Sequence, residues 1–435
     1  MKSKRKNKNS YKFRWRYIAV LIVVSIVLTS CAGTENVSEQ GKSTVDIDFS
    51  WWGNDERHIY TMEGVNEFMD ENPDINVDMS YGVWDGYEKK MQVYMRSNTE
   101  ADVMQINYDW LSRYSPDGKG YYDLNKLSDV IDLDAFSDED LKYGESDGVL
   151  NAVPIAFNTI TIYYNKKIFD SYGLTLPKTW DDLFDDAKLM SKDGKYVLGV
   201  PKKQFFLLLL SHFEQTEGKA FFKDDGTVNA TEAEIEKLLK FCSKLISDKV
   251  VMPIDNFSRT NYLSGDVAGT VAWVSNAGDL MDSLSENGGT PMIGEYLRVN
   301  AGDELTGWYT KPATMYAISE TCANPEEAGM LLNFLVNSPQ MAILQKTEKG
   351  VPASSKAYEA LLNNSEEAMS HGEVMASDKM NEEKSKMKTM IPSMENNLII
   401  DEFFDSTDNY IYGDNNLNEN AVKFYNYICK TVKTE

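Results

Sequence analysis

The spacing of hydrophobic and polar positions changes repeatedly after residue 45, and each change predicts a new element. Residues 45–49 alternate apolar and polar side chains, a period of two that predicts a strand. Between residues 59 and 69 the apolar side chains recur at helical spacing. This helix should stop before Asn72-Pro73, because a residue before proline resists the α region. Residues 75–81 alternate again, so the pattern predicts a strand–helix–strand unit of a mostly parallel sheet.

The alternation of strands and helices continues through the rest of the chain. Residues 101–106 and 149–164 are rich in strand-forming side chains. Capping sequences at Thr179 and Thr231 predict two helix starts, and Asn324 precedes a proline that suits the first position of a third helix. The predicted fold class is therefore α/β.

The first 30 residues have the pattern of a secretory signal peptide. Eight basic residues and no acid lie in residues 1–16, and residues 17–28 are almost wholly apolar. A helix of that apolar length would extend about 18 Å, which is less than the roughly 30 Å core of a bilayer. We therefore predict a cleaved signal at residues 1–30, with a retained membrane anchor as the alternative.

Leu28-Thr29-Ser30-Cys31 follows this segment directly and resembles the lipobox of bacterial lipoproteins. The resemblance implies that Cys31 is acylated, for example with palmitate, and becomes the first mature residue. The small and polar residues up to 44 predict a flexible tether, so residues 31–44 would hold the body at the outer, extracellular face of the cell membrane. A free Cys31 is the alternative.

The charge of the chain excludes several kinds of partner. The 435 residues carry a formal net charge of −24, and removing the eight basic residues of the signal leaves −32 on residues 31–435. Such a surface repels phosphate backbones and anionic lipids, so we expect no nucleic-acid partner and no direct binding of the body to a membrane.

Cysteine and histidine usage gives no sign of a metal, a cofactor or a disulfide scaffold. Cys242, Cys322 and Cys429 cannot all pair and form no CxxC motif, so we expect buried free thiols. The three histidines are isolated from one another and lack metal-ligand spacing. We predict that the protein uses no cofactor.

A series of short motifs follows in a characteristic order over about residues 45–360. The motifs are Trp51-Trp52-Gly53, Glu71 to Val77, Ala101 to Gln105, Val153 to Ile155, Tyr163 to Phe169, Gly173 to Asp182, Ser264 to Ala268 with Trp273, Asn324 to Ala328 and Gly350 to Pro352. Placed after a lipobox, this order resembles the extracellular solute-binding proteins of family 1, the sugar-binding lipoproteins of ABC importers.

The resemblance implies a periplasmic-binding-protein-like (Venus-flytrap) fold, with two α/β lobes joined by a multi-strand hinge. It also implies a monomer without catalysis that captures a carbohydrate, for which we expect an oligosaccharide, and delivers it to the permease subunits of an ABC transporter. The expected boundaries are 45–157 plus 316–350 for the N-terminal lobe and 158–315 plus 351–435 for the C-terminal lobe, with crossings near 158–163, 311–315 and 350–353.

A sugar site needs flat aromatic side chains for the ring faces, and carboxylates or amides for the hydroxyls. Such residues follow several predicted strands, where the cleft of an α/β protein forms. The candidates are Trp51, Trp52, Trp84, Tyr108, Asp109, Trp110, Asn158, Trp273, Asn276 and Trp308. The resemblance puts a sugar-binding carboxylate at Asp109, with a helix cap as the alternative. Of Trp51 and Trp52, we expect one in the cleft and the other in the core.

Two other functions stay open. The same fold could bind a polyamine, a peptide or a phosphodiester instead of a sugar. An exported glycosidase would need two carboxylates about 5–10 Å apart, which 68 acidic residues do not exclude, although no GxSxG, HExxH or phosphate-loop motif is present.

Overall fold

The computed structural model describes residues 44–364, 368–413 and 416–432. The predicted signal peptide and Cys31 lie outside the described residues, as does the tether up to residue 43. The chain from Ser43 onward forms one compact unit. Within the described ranges, every helix is too short or too polar to span a bilayer.

The described elements confirm the α/β class. The strands are β1 (Val45–Trp52), β2 (Ile75–Gly82), β3 (Val103–Ile106), β4 (Glu145–Ser146), β5 (Val149–Leu150), β6 (Ala152–Asn165), β7 (Tyr196–Gly199), β8 (Val267–Trp273), β9 (Pro291–Ile293), β10 (Tyr309–Ile318), β11 (Val351–Pro352) and β12 (Lys388–Thr389). The helices are α1 (Asp55–Glu71), α2 (Trp84–Ser97), α3 (Trp110–Tyr114), α4 (Asp138–Leu141), α5 (Lys166–Tyr172), α6 (Trp180–Met190), α7 (Lys202–Glu217), α8 (Glu232–Ser247), α9 (Arg259–Ser264), α10 (Ala277–Glu286), α11 (Pro325–Asn337), α12 (Pro339–Gln345), α13 (Ser355–Asn363), α14 (His371–Glu383), α15 (Asn397–Tyr412) and α16 (Leu417–Thr431).

The local sequence signals explain where these elements begin and end. The predicted first unit is confirmed as β1–α1–β2, with β1 and β2 parallel from Val45 opposite Ile75. Helix α1 ends at Glu71, before the Asn72-Pro73 pair that cannot continue it. Thr179 and Thr231 each complete a reciprocal capping box, as predicted, so α6 and α8 start with their first amides satisfied.

One long strand, β6, joins the two halves of the sheet. The sheet runs in the order β2-β1-β3-β10-β6-β8-β7. Residues 152–159 of β6 pair with β10, and residues 160–164 pair with β8. We call the part built on β1, β2 and β3 the first lobe and the part built on β7 and β8 the second lobe. Strands β6 and β10 lie between them, and β11 pairs with β6 at the same place.

Each lobe packs helices on its sheet. In the second lobe the apolar run at residues 205–210 lies in α7 and is wholly buried. Helices α15 and α16 pack on α8, which fixes the C-terminal segment to that lobe. Helix α13 packs instead on α11 and α12. This packing differs from the expectation that all of residues 351–435 lie with the second lobe; the exact lobe boundaries stay a prediction.

Candidate functional site

A pocket of about 990 Å³ lies between segments of the two lobes, and we call it the interlobe cleft. Its first-lobe lining comes from α2 and from the turn between β3 and α3. Its second-lobe lining comes from the turn after α7 and from the segment that leads into α15. The lining residues are Glu88, Asp109, Ser112 and Arg113 on one side, and residues 224–226, 391–393, 396–398 and Val432 on the other.

Asp109 brings a carboxylate to this cleft and leaves one of its oxygens unused. It stands at the N-cap position of α3, yet its side chain makes no capping hydrogen bond, so the helix-cap alternative fails. Its Oδ1 is buried and has no hydrogen-bond partner among the described residues. Burial raises the pKa of Asp109, and the charge of nearby Glu88 adds to the rise, while Arg113 opposes it. A buried acceptor of this kind costs free energy until a donor reaches it.

Arg113 is held by the acids on its own side of the cleft. Its guanidinium pairs with Glu88, and its Nη2 lies 3.6 Å from Asp109 Oδ2, one helical turn away. These contacts fix the orientation of Asp109 and neutralise part of the local negative charge.

A second group of charges is found on the crossing strand β10 and at Glu395, which directly precedes the lining residue Asn396. Lys311 pairs with Glu395, and its Nζ lies 5.0 Å from the centroid of the Trp273 ring. Lys311 also acts on Asp109, where its positive charge lowers the pKa of that carboxyl. Burial raises the pKa of Tyr108, and the negative charges of Glu395 and Asp109 raise it further.

Three predicted aromatic residues form one cluster in the first lobe. The ring centroids of Trp52 and Trp84 are 5.0 Å apart, those of Trp52 and Trp110 are 5.7 Å apart, and Trp84 stacks on Trp110 at 6.4 Å. Trp110 is fully buried, whereas Trp84 keeps 43% of its surface exposed. Trp84 is therefore the member of this cluster that offers solvent-accessible ring surface.

Trp51, one of the predicted site tryptophans, is a core residue in this conformation. Trp51 is fully buried between Phe49 and Tyr81, with ring centroids at 4.8 and 5.0 Å, and its Nε1 donates to His58 Nδ1 at 3.1 Å. Trp52 is buried as well and does not line the cleft, so the expectation that one of the two neighbours faces the cleft is not met in this conformation.

Trp308 is also buried and is a correction to the predicted site. Its Nε1 donates to the Leu297 carbonyl at 3.0 Å, and its ring meets Tyr296 edge-on. The indole has both its polar and its apolar contacts within the second lobe, so no face is left for a ligand.

The two predicted asparagines have different surroundings. The Asn158 side chain donates to Ser275 Oγ at 3.0 Å and accepts from the Ser275 amide at 3.3 Å. It therefore fastens the crossing strand β6 to the turn that follows Trp273. Asn276 lies outside the cleft lining and instead borders a smaller cavity of about 200 Å³ in the second lobe, beside Arg259 and Tyr262.

The structure brings together several predicted residues and adds four that the sequence analysis missed. Asp109 and Trp273 both lie in the surroundings of Lys311, and Tyr108 is influenced by Glu395 and Asp109. The additions are Glu88, Arg113, Lys311 and Glu395. The sequence could have identified Lys311, because it is the charged residue in one of the predicted crossings between the lobes. It could not have identified Glu395, because its partner lies 84 residues away.

The predicted free thiols are confirmed, since Cys242, Cys322 and Cys429 are all unpaired, with Cys242 buried and the other two half-buried. Across residues 44–364, 368–413 and 416–432, His, Cys, Asp and Glu side chains form no cluster of three or more that could hold a metal ion.

Comparison with known proteins supplies the family. A protein of Brucella abortus, named only provisionally as a binding protein, is 24% identical over 304 residues, covering 68% of this chain and 73% of its own. The melibiose/raffinose/stachyose-binding protein MelE of Bacillus subtilis is 27% identical over 175 residues, which is 40% of this chain and 39% of that protein.

A solved structure has the same fold over nearly the whole described chain. It is a periplasmic oligogalacturonide-binding protein from Yersinia enterocolitica in complex with saturated digalacturonic acid, with a TM-score of 0.73 and 26% identity. The match covers 89% of this chain and 99% of that one. Residues 63–376 match the family model described as bacterial extracellular solute-binding protein. The chain therefore belongs to the bacterial extracellular solute-binding proteins and has their two-lobed α/β fold.

Proposed function

We propose that this solute-binding protein captures a carbohydrate, an oligosaccharide, in the interlobe cleft and delivers it to the permease of an ABC importer. The observation that carries the proposal is the buried Asp109 Oδ1, which faces no donor among the described residues and stands in a cleft of about 990 Å³. That volume lies in the range of pockets that enclose a small ligand.

The chemistry of the surroundings suits a sugar. A carboxylate that lacks donors accepts hydrogen bonds from ring hydroxyls, and this exchange removes the cost of the buried oxygen. Trp273 and the exposed face of Trp84 lie outside the residues that line the cleft, and we propose that they supply flat apolar surface for the C–H faces of a sugar ring when the ligand binds. The names of MelE and of the Yersinia protein, which concern oligosaccharides, support this ligand class.

Capture would use the strands that connect the lobes. We propose that the lobes close about β6, β10 and β11, with Asn158 and Ser275 moving as one body because they are hydrogen-bonded to each other. Ligand would shift the open–closed equilibrium only as far as it binds the closed form more tightly. The closed form is the state that we propose the permease recognises.

The location and assembly of the protein belong to the same proposal. The lipobox at Cys31 would attach the mature chain to the outer face of the cell membrane by acylation, and residues 32–44 would tether a monomeric body near the permease. We propose no catalytic role, because the family works by binding.

Thermal unfolding of the chain from residue 32 onward tests the ligand class. The assay would screen neutral and acidic oligosaccharides, with polyamines, peptides and phosphodiesters as the competing classes. A ligand that binds only the folded state raises Tm, so we expect a concentration-dependent rise with one glycan class. A rise with a polyamine, a peptide or a phosphodiester alone would keep the family and refute the carbohydrate.

A further inference from the structure

We infer that the cleft selects a carbohydrate without carboxylate groups and discriminates against uronic-acid glycans. The inference rests on the proposed function and narrows its substrate class. It comes from the balance of charges around the cleft and from the partners that the basic side chains already have.

Acidic side chains outnumber basic ones in the described lining. Glu88 and Asp109 stand on the first-lobe side, and Asp224 and Asp225 stand on the second-lobe side. Arg113 is the one basic residue in that lining. A ligand carboxylate would enter a space whose walls already carry an excess of negative charge, and like charges at short range in a partly desolvated site oppose binding.

Two basic side chains near the cleft, Arg113 and Lys311, already have acidic partners. Arg113 lies against Glu88 and Asp109, so its guanidinium fork faces acids on its own lobe. Lys311 pairs with Glu395, and Lys203 Nζ lies 3.8 Å from the other oxygen of the same carboxylate. A uronate that paired with Arg113 or Lys311 would have to break one of these pairs, which would leave a protein acid without its partner.

The free acceptor also favours an uncharged group. Asp109 Oδ1 can accept a hydrogen bond from a hydroxyl but cannot donate one to a carboxylate while it is ionised. The raised pKa of Asp109 agrees with this argument, because the site already disfavours its single negative charge. An added carboxylate at the same place would be disfavoured for the same reason.

The Yersinia protein has the same fold and was solved in complex with saturated digalacturonic acid. Ligand charge is therefore not decided by the fold, and the side chains of each cleft must decide it. In this chain, the acidic residues of the cleft lining favour a ligand without carboxylate groups.

Calorimetric titration with matched glycan pairs tests the inference. Each pair has one linkage and differs only at C6, for example galactobiose against digalacturonate and cellobiose against its diuronate. We expect the neutral member to bind at least about tenfold more tightly at low salt. Screening shortens the reach of charge repulsion to about 10 Å at 0.1 M salt and less above it, so the ratio should narrow as salt is added.

A charge-removing variant adds a second readout. Asp224 is exposed and lines the cleft, so Asp224→Asn should lower the neutral-to-uronate affinity ratio by about two- to fivefold at low salt. Asp129→Asn makes the same charge change at an exposed acid outside the lining and should leave the ratio unchanged.

Three results are distinguishable. A neutral preference that shrinks in Asp224→Asn supports the inference. A uronate that binds as tightly as its neutral partner, or more tightly, overturns the inference but leaves the carbohydrate proposal standing. If no glycan of either series binds while a polyamine or a peptide does, the proposed function and the inference fall together.

Discussion

Lys311 Nζ lies 5.0 Å from the ring centroid of Trp273, and the same ammonium pairs with Glu395. One basic side chain on the crossing strand β10 thus connects an aromatic residue at the end of β8 with an acid of the segment before α15. Because β10 also pairs with β3 of the first lobe, this connection lies where the lobes meet. Substitutions at these residues should therefore be measured for their effect on ligand affinity as well as on stability.

Removing the charge of Asp109 should separate binding from folding. We expect Asp109→Asn to weaken glycan affinity by about tenfold or more, because a hydrogen bond to a charged group is worth about 1.5–3 kcal/mol. Its Tm without ligand should stay equal or rise, because a buried carboxylate oxygen without a donor is replaced by a neutral amide. Calorimetry and thermal unfolding measure the two effects, with Asp129→Asn as the matched control. A large fall in Tm would show that Asp109 is structural.

Trp273 should contribute ring stacking. Trp273→Ala removes the aromatic face beside Lys311, and we expect a loss of affinity of about tenfold, since aromatic contacts add about 0.5–1.5 kcal/mol beyond their buried area. Trp273→Phe keeps an aromatic face and should recover part of that loss. Equal affinity in all three proteins would remove Trp273 from the site.

For Trp308 we expect a substitution to lower stability and to leave ligand affinity nearly unchanged. Trp308→Phe removes the hydrogen bond to the Leu297 carbonyl and part of a fully buried ring. We expect the free energy of unfolding to fall by about 2–3 kcal/mol, with ligand affinity changed less than about twofold. Denaturant unfolding beside a binding titration tests this pair of outcomes, and a selective loss of affinity would return Trp308 to the site.

The pH dependence of binding should report Asp109. Burial raises its pKa, so the carboxyl takes up a proton at a higher pH than an exposed aspartate does. Protonation removes the charge that strengthens the hydrogen bond from a sugar hydroxyl, so affinity should decline as pH falls from 7 toward that raised pKa. The loss of affinity with falling pH should be much smaller in Asp109→Asn. An identical pH profile in both proteins would assign the titration to another group.

The local pattern of the sequence predicts the elements well. Period-two and helical spacing identify β1, α1 and β2, and the capping boxes at Thr179 and Thr231 locate two helix starts, because these signals depend only on neighbours along the chain. Neighbouring strand residues point to opposite faces, so the sequence also shows that Trp51 and Trp52 have different surroundings. Both are buried, however, because Trp51 packs on Tyr81 and His58 while Trp52 packs on Trp84 and Trp110, and these partners lie on other elements.

The charged partners of the site depend on the tertiary fold. Glu395 meets Lys311 and Lys203 only after the C-terminal segment has packed on the second lobe. Trp308 has the composition of a site residue but is enclosed by Tyr296 and Leu297, and no spacing rule reveals that enclosure. Residue type alone therefore overestimates the number of ligand-binding tryptophans.

The most direct test is a crystal structure of the chain with the glycan that raises Tm most. The account predicts a sugar between the lobes, with a hydroxyl oxygen about 3 Å from Asp109 Oδ1 and a ring face against Trp273 or Trp84. A glycan bound elsewhere, for example in the groove of about 770 Å³ beside Phe68 and Phe334, would contradict it, as would a cleft ligand that makes no contact with Asp109.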